Sequence, residues 1–463
     1  MHPDKNNPIW REWLLDMRDG VLRAFREFLR TPTLMVTGFL LLALGLYVLD
    51  HADFAWIDPL REVLKKRLFV DSSTTSDFLG AIAAGIISVT SITISLLLLA
   101  VQQGASSMTS AVLDQFLRRT RNQAYFGYFI GLALYCLVVL STVHKDSNAV
   151  LSATAGFVLT LIALYLLIML LYSTVHQMRP TVIVSAIVDR TVAARDQQRT
   201  LLHRTRRRPQ LADHLATTDV HADRSGYLVR VHLDALEKHI EGLHGFEIVL
   251  KLQIGSFVTR NDPVAEVRGS DGAVREKVAR VLREVLVIER HRDIEGDPGQ
   301  GIGQIGRIAW VTISTAKSST GPAAHAIRGL RDLLSRWCDE PAEDSDARVL
   351  PLVYEDSVPL DLVDALESAV VASSESRQHQ SFAEVLRVFS TTADRLPPEQ
   401  RMAMAATIER SIATIGEHVL TRELRSALID AASMLAACGR PAAAARVHTT
   451  PDRLGRCLNE MPL

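Results

Sequence analysis

Four long, almost uncharged stretches crowd the first third of the chain, at residues 33–49, 78–101, 124–143 and 149–174. About 20 apolar residues in a helix cross the hydrocarbon core of a bilayer. A helix also satisfies its own backbone polar groups there, which an open strand or loop cannot do. The pattern therefore predicts a helical integral membrane domain with four transmembrane helices and the lipid bilayer as a partner. The first stretch is the shortest, but it is rich in leucine. It begins only at residue 33 and no small-residue cleavage site follows it cleanly, so a cleaved signal peptide is not expected.

Residues 175–463 read instead as a soluble protein. Lys and Arg total 51 against 52 Asp and Glu, and aromatic residues make up 6%. That balance excludes the basic excess and stacking platforms of a nucleic-acid binder. The four cysteines, Cys136, Cys338, Cys438 and Cys457, form no C-x-x-C pair and no metal-like cluster with histidine. Reduced thiols are expected for the last three.

Loop charges predict the orientation. Lys and Arg number six in residues 1–32, three in 102–123 and eight in 175–208, against four in 51–77 and one in 144–148. Seventeen against five places both termini in the cytoplasm, in the inner membrane of a cell. The 51–77 loop runs against the trend.

Along the chain, residues 9–30 alternate arginines with Trp10, Trp13, Leu14, Met17, Val21, Phe25 and Leu29 at helical spacing. This predicts an amphipathic helix lying on the inner leaflet, with residues 1–32 as its segment and 33–174 as the membrane domain. In 175–224, Pro180 can open a helix with Ile183, Ile187, Ala194 and Leu201 on one stripe. Its end at Arg206-Arg207-Arg208 suits anionic lipid or a solvated charge run equally. A polar linker over 209–224 follows.

Residues 225–340 predict an α+β module. A strand, a short helix and further strands follow one another, with Gly255 and Asn261-Asp262-Pro263 as turn chemistry. The spacing of Gly255, Val258, Pro263, Val264, Ala265 and Val267 suggests a small, lipoyl-like β-sandwich. Its expected hairpin tip, Thr259-Arg260-Asn261-Asp262, lacks the lysine that such folds use to attach a cofactor. Helical spacing returns over 274–288 and 301–337. Residues 341–463 predict a mostly helical region with Ala-rich faces, broken near Pro397-Pro398 and Gly439-Arg440-Pro441.

Two short motifs invite a catalytic reading. Gly301-Ile302-Gly303-Gln304-Ile305-Gly306 fits G-x-G-x-x-G, yet a loop precedes it and no acid lies within 308–331 to meet a ribose. Ser314-Thr315-Ala316-Lys317 fits S-x-x-K without the partner motifs of that class. No catalytic constellation, cofactor site or metal site is expected, and the chain does not read as an enzyme.

The second apolar stretch is unusual in another way. On a helix, Ala81, Ala84, Ser88, Ser91, Ser95, Gln102 and Ser106 fall within about 80° of one another. Two explanations stand side by side. Small residues let helices approach closely and hydroxyls bond across them. Alternatively Ser88, Ser91, Ser95, Gln102 and Ser106 line an aqueous pathway without fixed charge.

Three segments carry a family resemblance. "AVQQGASSMTSAVLDQFLRRTRNQ", "SGYLVRV…GSFVTRNDPVAEV" and "DPGQGIGQIGRIAWVTIS" together resemble the bacterial predicted membrane proteins grouped as domain of unknown function 2254. In the first, Gln102, Ser106, Phe116, Leu117, Arg118, Asn122 and Gln123 match the family pattern, while Ser110 stands where the family has proline. Gly226, Tyr227, Gly255, Phe257, Val258, Pro263, Ala265 and Val267 match in the second, and Asp297, Pro298, Gly301 and Gln304 in the third. The chain departs at Ser314–Thr320, where the family reads serine-proline-small-x-asparagine-aspartate-proline. The resemblance implies an architecture and no activity. The expected function is an oligomeric pore or transport-like protein, a homo-oligomer gated by its cytoplasmic region. The alternative is a non-conducting membrane-anchored sensor or scaffold.

Overall fold

The computed structural model describes residues 29–51, 58–67, 69, 71–107, 120–143, 149–177, 179–212, 214–292, 294–315, 321–338, 349–412, 415 and 419–459. The amphipathic helix expected before residue 29 and the arginine-rich 113–119 segment lie outside them. The chain divides into two compact units, residues 1–179 and 180–463.

The first unit is helical. Its elements are α1 (Arg30–His51), α2 (Asp58–Arg67), α3 (Ser72–Ser107), α4 (Thr120–Thr142) and α5 (Val150–Gln177). Four segments are long and apolar enough to cross a membrane: Arg30–His51, Ser72–Ser95, Thr120–Thr142 and Val150–Thr174. Each contains or closely overlaps a predicted stretch. Helix α4 is the central one, with Leu132, Tyr135 and Cys136 fully buried, while α1 and α5 expose leucines such as Leu41, Leu44, Leu161 and Leu171. Apolar surface turned outward on this scale suits lipid rather than water.

Two glycines mark close helix contacts in this unit. A Cβ at Gly131 would lie 2.5 Å from the Phe39 ring, and one at Gly127 would lie 2.8 Å from the Pro32 backbone. These two glycines, four residues apart, let α1 lie against α4 as small-x-x-x-small pairs do in membranes. Asp50 closes one end of the bundle. Its carboxylate accepts from the backbone N–H groups of Leu151 and Ser152 at 3.0 Å and from Ser152 Oγ at 2.6 Å. The free donors at the start of α5 are thereby satisfied by α1. Tyr135 donates to the Ser152 carbonyl at 2.7 Å beside them.

The second unit opens with α6 (Pro180–Arg204), followed by β1 (Thr217–His221), β2 (Gly226–Val231), α7 (Leu233–Ile240), β3 (Phe246–Leu250), β4 (Phe257–Val258) and β5 (Pro263–Gly269). Then come α8 (Gly272–Val285), β6 (Leu286–Glu289), α9 (Pro298–Thr315), α10 (Gly321–Cys338) and β7 (Leu352–Val353). Helices α11 (Val358–Glu375), α12 (His379–Thr392), α13 (Pro398–Ile412), α14 (Arg422–Ala437) and α15 (Pro441–Asn459) complete the described chain. One sheet has the order β1-β5-β3-β7 and the other β4-β2-β6. All pairs are antiparallel except β3 with β7.

Three details differ from the sequence reading. The supposed linker contains β1, an edge strand whose polar residues leave only Val220 fully buried, so no apolar alternation marks it. Residues 286–288, read as helix, form β6, because the apolar run Leu286-Val287-Ile288 pairs with β2. The turn at 259–262 is no hairpin tip: β4 pairs with β2 and β5 pairs with β1 and β3, so the turn carries the chain from one sheet to the other. Asn261 takes φ 71° there, and Asp262 accepts from the Thr259 N–H at 2.7 Å.

A buried ion pair ties α6 to the segment before α11. Arg195 donates twice to Asp356, at 2.8 and 2.7 Å, and once to Gln198 Oε1 at 2.8 Å. The Trp337 ring lies 5.5 Å from its guanidinium. Gln198 reaches the Tyr354 hydroxyl at 3.3 Å, and burial pushes that phenol up to about 12.

Candidate functional site

Two places hold polar chemistry without an evident structural partner. The first is the hydroxyl stripe of α3. Leu79, Ala83 and Ile86 form the buried face of this helix, whereas Ala81, Ala84, Ser88, Ser91 and Ser95 are exposed on the single chain. The stripe thus faces away from the chain's own bundle. Ser95 donates to the Ser91 carbonyl at 3.0 Å, one turn back along the same helix. Gln102 and Ser106 continue α3, whose 36 residues span about 54 Å at 1.5 Å per residue. The helix is therefore much longer than the ~30 Å hydrocarbon core, and the amide-rich run is its continuation beyond that thickness.

The second place is an open groove of about 360 Å³ between α9 and α11. Gly299, Gly303, Gly306 and Trp310 recur on one face of α9, and Asp361, Asp364, Ala365 and Ser368 on one face of α11. A Cβ at Gly299 would sit 3.1 Å from Asp361 Oδ2, and one at Gly306 would sit 3.1 Å from Ala365 Cβ. The two helices therefore run in the same direction along the groove. Arg292 lines one end and is paired with Asp297. Asp297 also caps α9 by accepting from the Gln300 N–H at 3.1 Å. Burial raises Asp361 to about 6, against the pull of the Ser357 hydroxyl and Arg292, and burial likewise raises Asp364.

The glycine motif at 301–306 lies inside α9, near its start, and does packing work. Gly301 faces α6 so closely that a Cβ would overlap Thr191 Oγ1. Gly303, by contrast, has no neighbouring atom within 4 Å of where its Cβ would be. In the S-x-x-K motif, Ser314 and Thr315 end α9, and Ala316 and Lys317 fall outside the described residues. Among the described residues, no group of three or more His, Cys, Asp or Glu could hold a metal ion.

A family model described as a predicted membrane protein of domain of unknown function 2254 matches residues 26–381. The chain belongs to that family. No curated protein and no solved structure matches it. The DUF2254 match takes in the four apolar helices, both sheets and the whole groove, and it ends within α12.

The family-pattern residues have visible structural tasks. Asn122 and Gln123 are buried polar residues at the start of α4. Gly226 brings β2 against β6, where a Cβ would lie 2.5 Å from the Glu289 carbonyl oxygen. Gly255, at φ +90°, leaves space filled by Arg292 and Asp297. Tyr227 and Phe257 stack edge to face at 5.1 Å between β2 and β4. The groove itself escaped the sequence reading, since its two faces lie some 60 positions apart and neither alone forms a known motif. The recurrence of glycine at 299, 303 and 306 was the available signal.

Proposed function

We propose that this DUF2254 protein is an oligomeric pore or transport-like assembly of the inner membrane, with both termini in the cytoplasm, whose second unit regulates it. One observation carries the reading: the small, hydroxyl-bearing stripe of α3 is turned away from the chain's own helices. Such a stripe gains little from lipid tails and much from a second helix that approaches closely. Copies of the chain that meet along α3 would bring Ser88, Ser91 and Ser95 together, and an uncharged hydroxyl lining suits a water-filled path. The distribution of Lys and Arg among the loops supports the orientation. The two sheets, whose inward residues join a single core with α7 and α8, suit a small sandwich-like module on the cytoplasmic side. Met178-Arg179 alone separates α5 from α6, a short covalent route from membrane helix to soluble unit.

The non-conducting scaffold reading has its own support. Ser95 already satisfies its hydroxyl on the Ser91 carbonyl, so α3 packs in a dry contact without needing water. Reconstitution separates the two. A pore passes ions in vesicles, and cysteines at positions 91 and 95 react with small water-soluble thiol reagents. Ser95→Leu then lowers the flux while the protein stays folded. Ion-tight vesicles with both cysteines unreactive leave the scaffold.

A further inference from the structure

We propose that the groove between α9 and α11 binds a small organic cation, its ammonium group held by Asp361 and Asp364 and its alkyl chain lying over Gly303 toward Trp310. The inference rests on reading the second unit as the regulatory part, and it does not depend on conduction.

Unmatched charge is the first ground. Several shielded carboxylates elsewhere in this unit are paired: Asp356 with Arg195, the fully buried Glu247 with Arg206, and Glu409 with Arg440. Asp361, half-buried, and Asp364, exposed one helical turn on, make no ion pair with a described residue, and among the described side chains only Ser357 bonds to either carboxylate, 3.3 Å from Asp361. Of the guanidiniums that act on them, Arg292 is already engaged by Asp297 and Arg410 by Glu367. Arg307 lies on the exposed rim. A ligand cation supplies the charge that the fold withholds.

Shape is the second ground. Gly301 and Gly306 are small because a neighbouring helix needs the room. Gly303 is not, since its missing side chain leaves only open groove. A glycine inside a helix costs up to about 1 kcal/mol relative to alanine. Here that cost creates a floor on which a ligand chain can lie against helix backbone. Trp310 is 37% exposed at the other end of the same face. An indole face attracts alkylammonium groups within about 6 Å.

Isothermal titration of the full-length protein in detergent tests this, with putrescine and spermidine as probes and butane-1,4-diol as the uncharged isostere of putrescine. The amines should bind saturably at physiological ionic strength, and the diol should not. Asp364→Asn and Gly303→Leu should each weaken binding by about tenfold or more, and Trp310→Leu by a few-fold. Asp332→Asn, on an exposed pair of α10, should change nothing. Gly303→Leu projects into open space and should fold at least as well as the parent, and Asp364→Asn gives an answer that does not depend on added bulk. No saturable binding by about 10 mM amine, or binding indifferent to both variants, overturns the proposal. Binding by a protein that forms no pore would defeat the conducting reading and leave this one standing.

Discussion

Small residues do opposite jobs in the two units. In the second unit, Gly301 faces Thr191 of α6 and Gly306 faces Ala365 of α11, so each missing side chain is filled by a neighbouring helix of the same chain. In the membrane unit, Gly127 and Gly131 of α4 behave likewise toward α1, but Gly80 and Gly85 of α3 have nothing within 4 Å. Ser88, Ser91 and Ser95 of α3 are exposed as well. Close approach is thus completed inside the second unit and on one side of the membrane bundle. Along the outer face of α3, Gly80, Gly85, Ser88, Ser91 and Ser95 have no helix of the described chain against them, and this difference motivates assembly between copies.

The sharpest way to break the comparison is to fill a space it calls occupied. Gly301→Ala drives a methyl group into Thr191 and should destabilise the second unit by about 3 kcal/mol or more, seen as a large drop in unfolding temperature. Gly303→Ala, two residues on, should instead stabilise by about 0.5–1 kcal/mol. Equal effects at the two positions would show that the glycines of this motif are not distinguished by packing.

A smaller effect tests how the membrane bundle is closed. Asp50→Ala leaves the first N–H groups of α5 without their acceptor and should cost about 1–2 kcal/mol, measured by thermal unfolding in detergent. Asp50→Asn, which keeps one acceptor oxygen, should lose less.

The smallest effect concerns the groove. Asp361 is raised in the folded protein to about 6, chiefly by burial, with Arg292 lowering it and Asp364 and Asp297 raising it. The folded state therefore binds the extra proton between the ordinary aspartate value near 4 and about 6, and stability falls as pH rises through that window. Asp361→Asn removes this loss. Its unfolding temperature should exceed the parent's by about 2–4 °C at pH 7.5 and match it near pH 4. A constant difference across that range would place the origin of the effect elsewhere.

The membrane architecture was legible because length and apolarity alone set a spanning helix, and the described spans closely track the apolar stretches. Helix α6 was legible too, from Pro180 and the stripe of Ile183, Ile187, Ala194 and Leu201. The glycine pair at 127 and 131 was there to be read, but its partner helix lies 90 residues upstream and nothing local names it. Strand β1 is an edge strand with a polar face, and β4 and β7 are two residues each, too short for any periodicity. The stripe of α3 was visible as a pattern, whereas its outward direction depends on which side of the helix α4 covers.

Oxidative cross-linking in native membranes tests the central claim, that copies meet along α3. A single cysteine replaces Ser91 in a background lacking Cys136, Cys338, Cys438 and Cys457, and a matched protein carries it at Ile168, an outward residue of α5 that is 67% exposed. The account predicts a covalent dimer from position 91 and none from position 168. Monomer alone from position 91, or equal dimer from both, would contradict it.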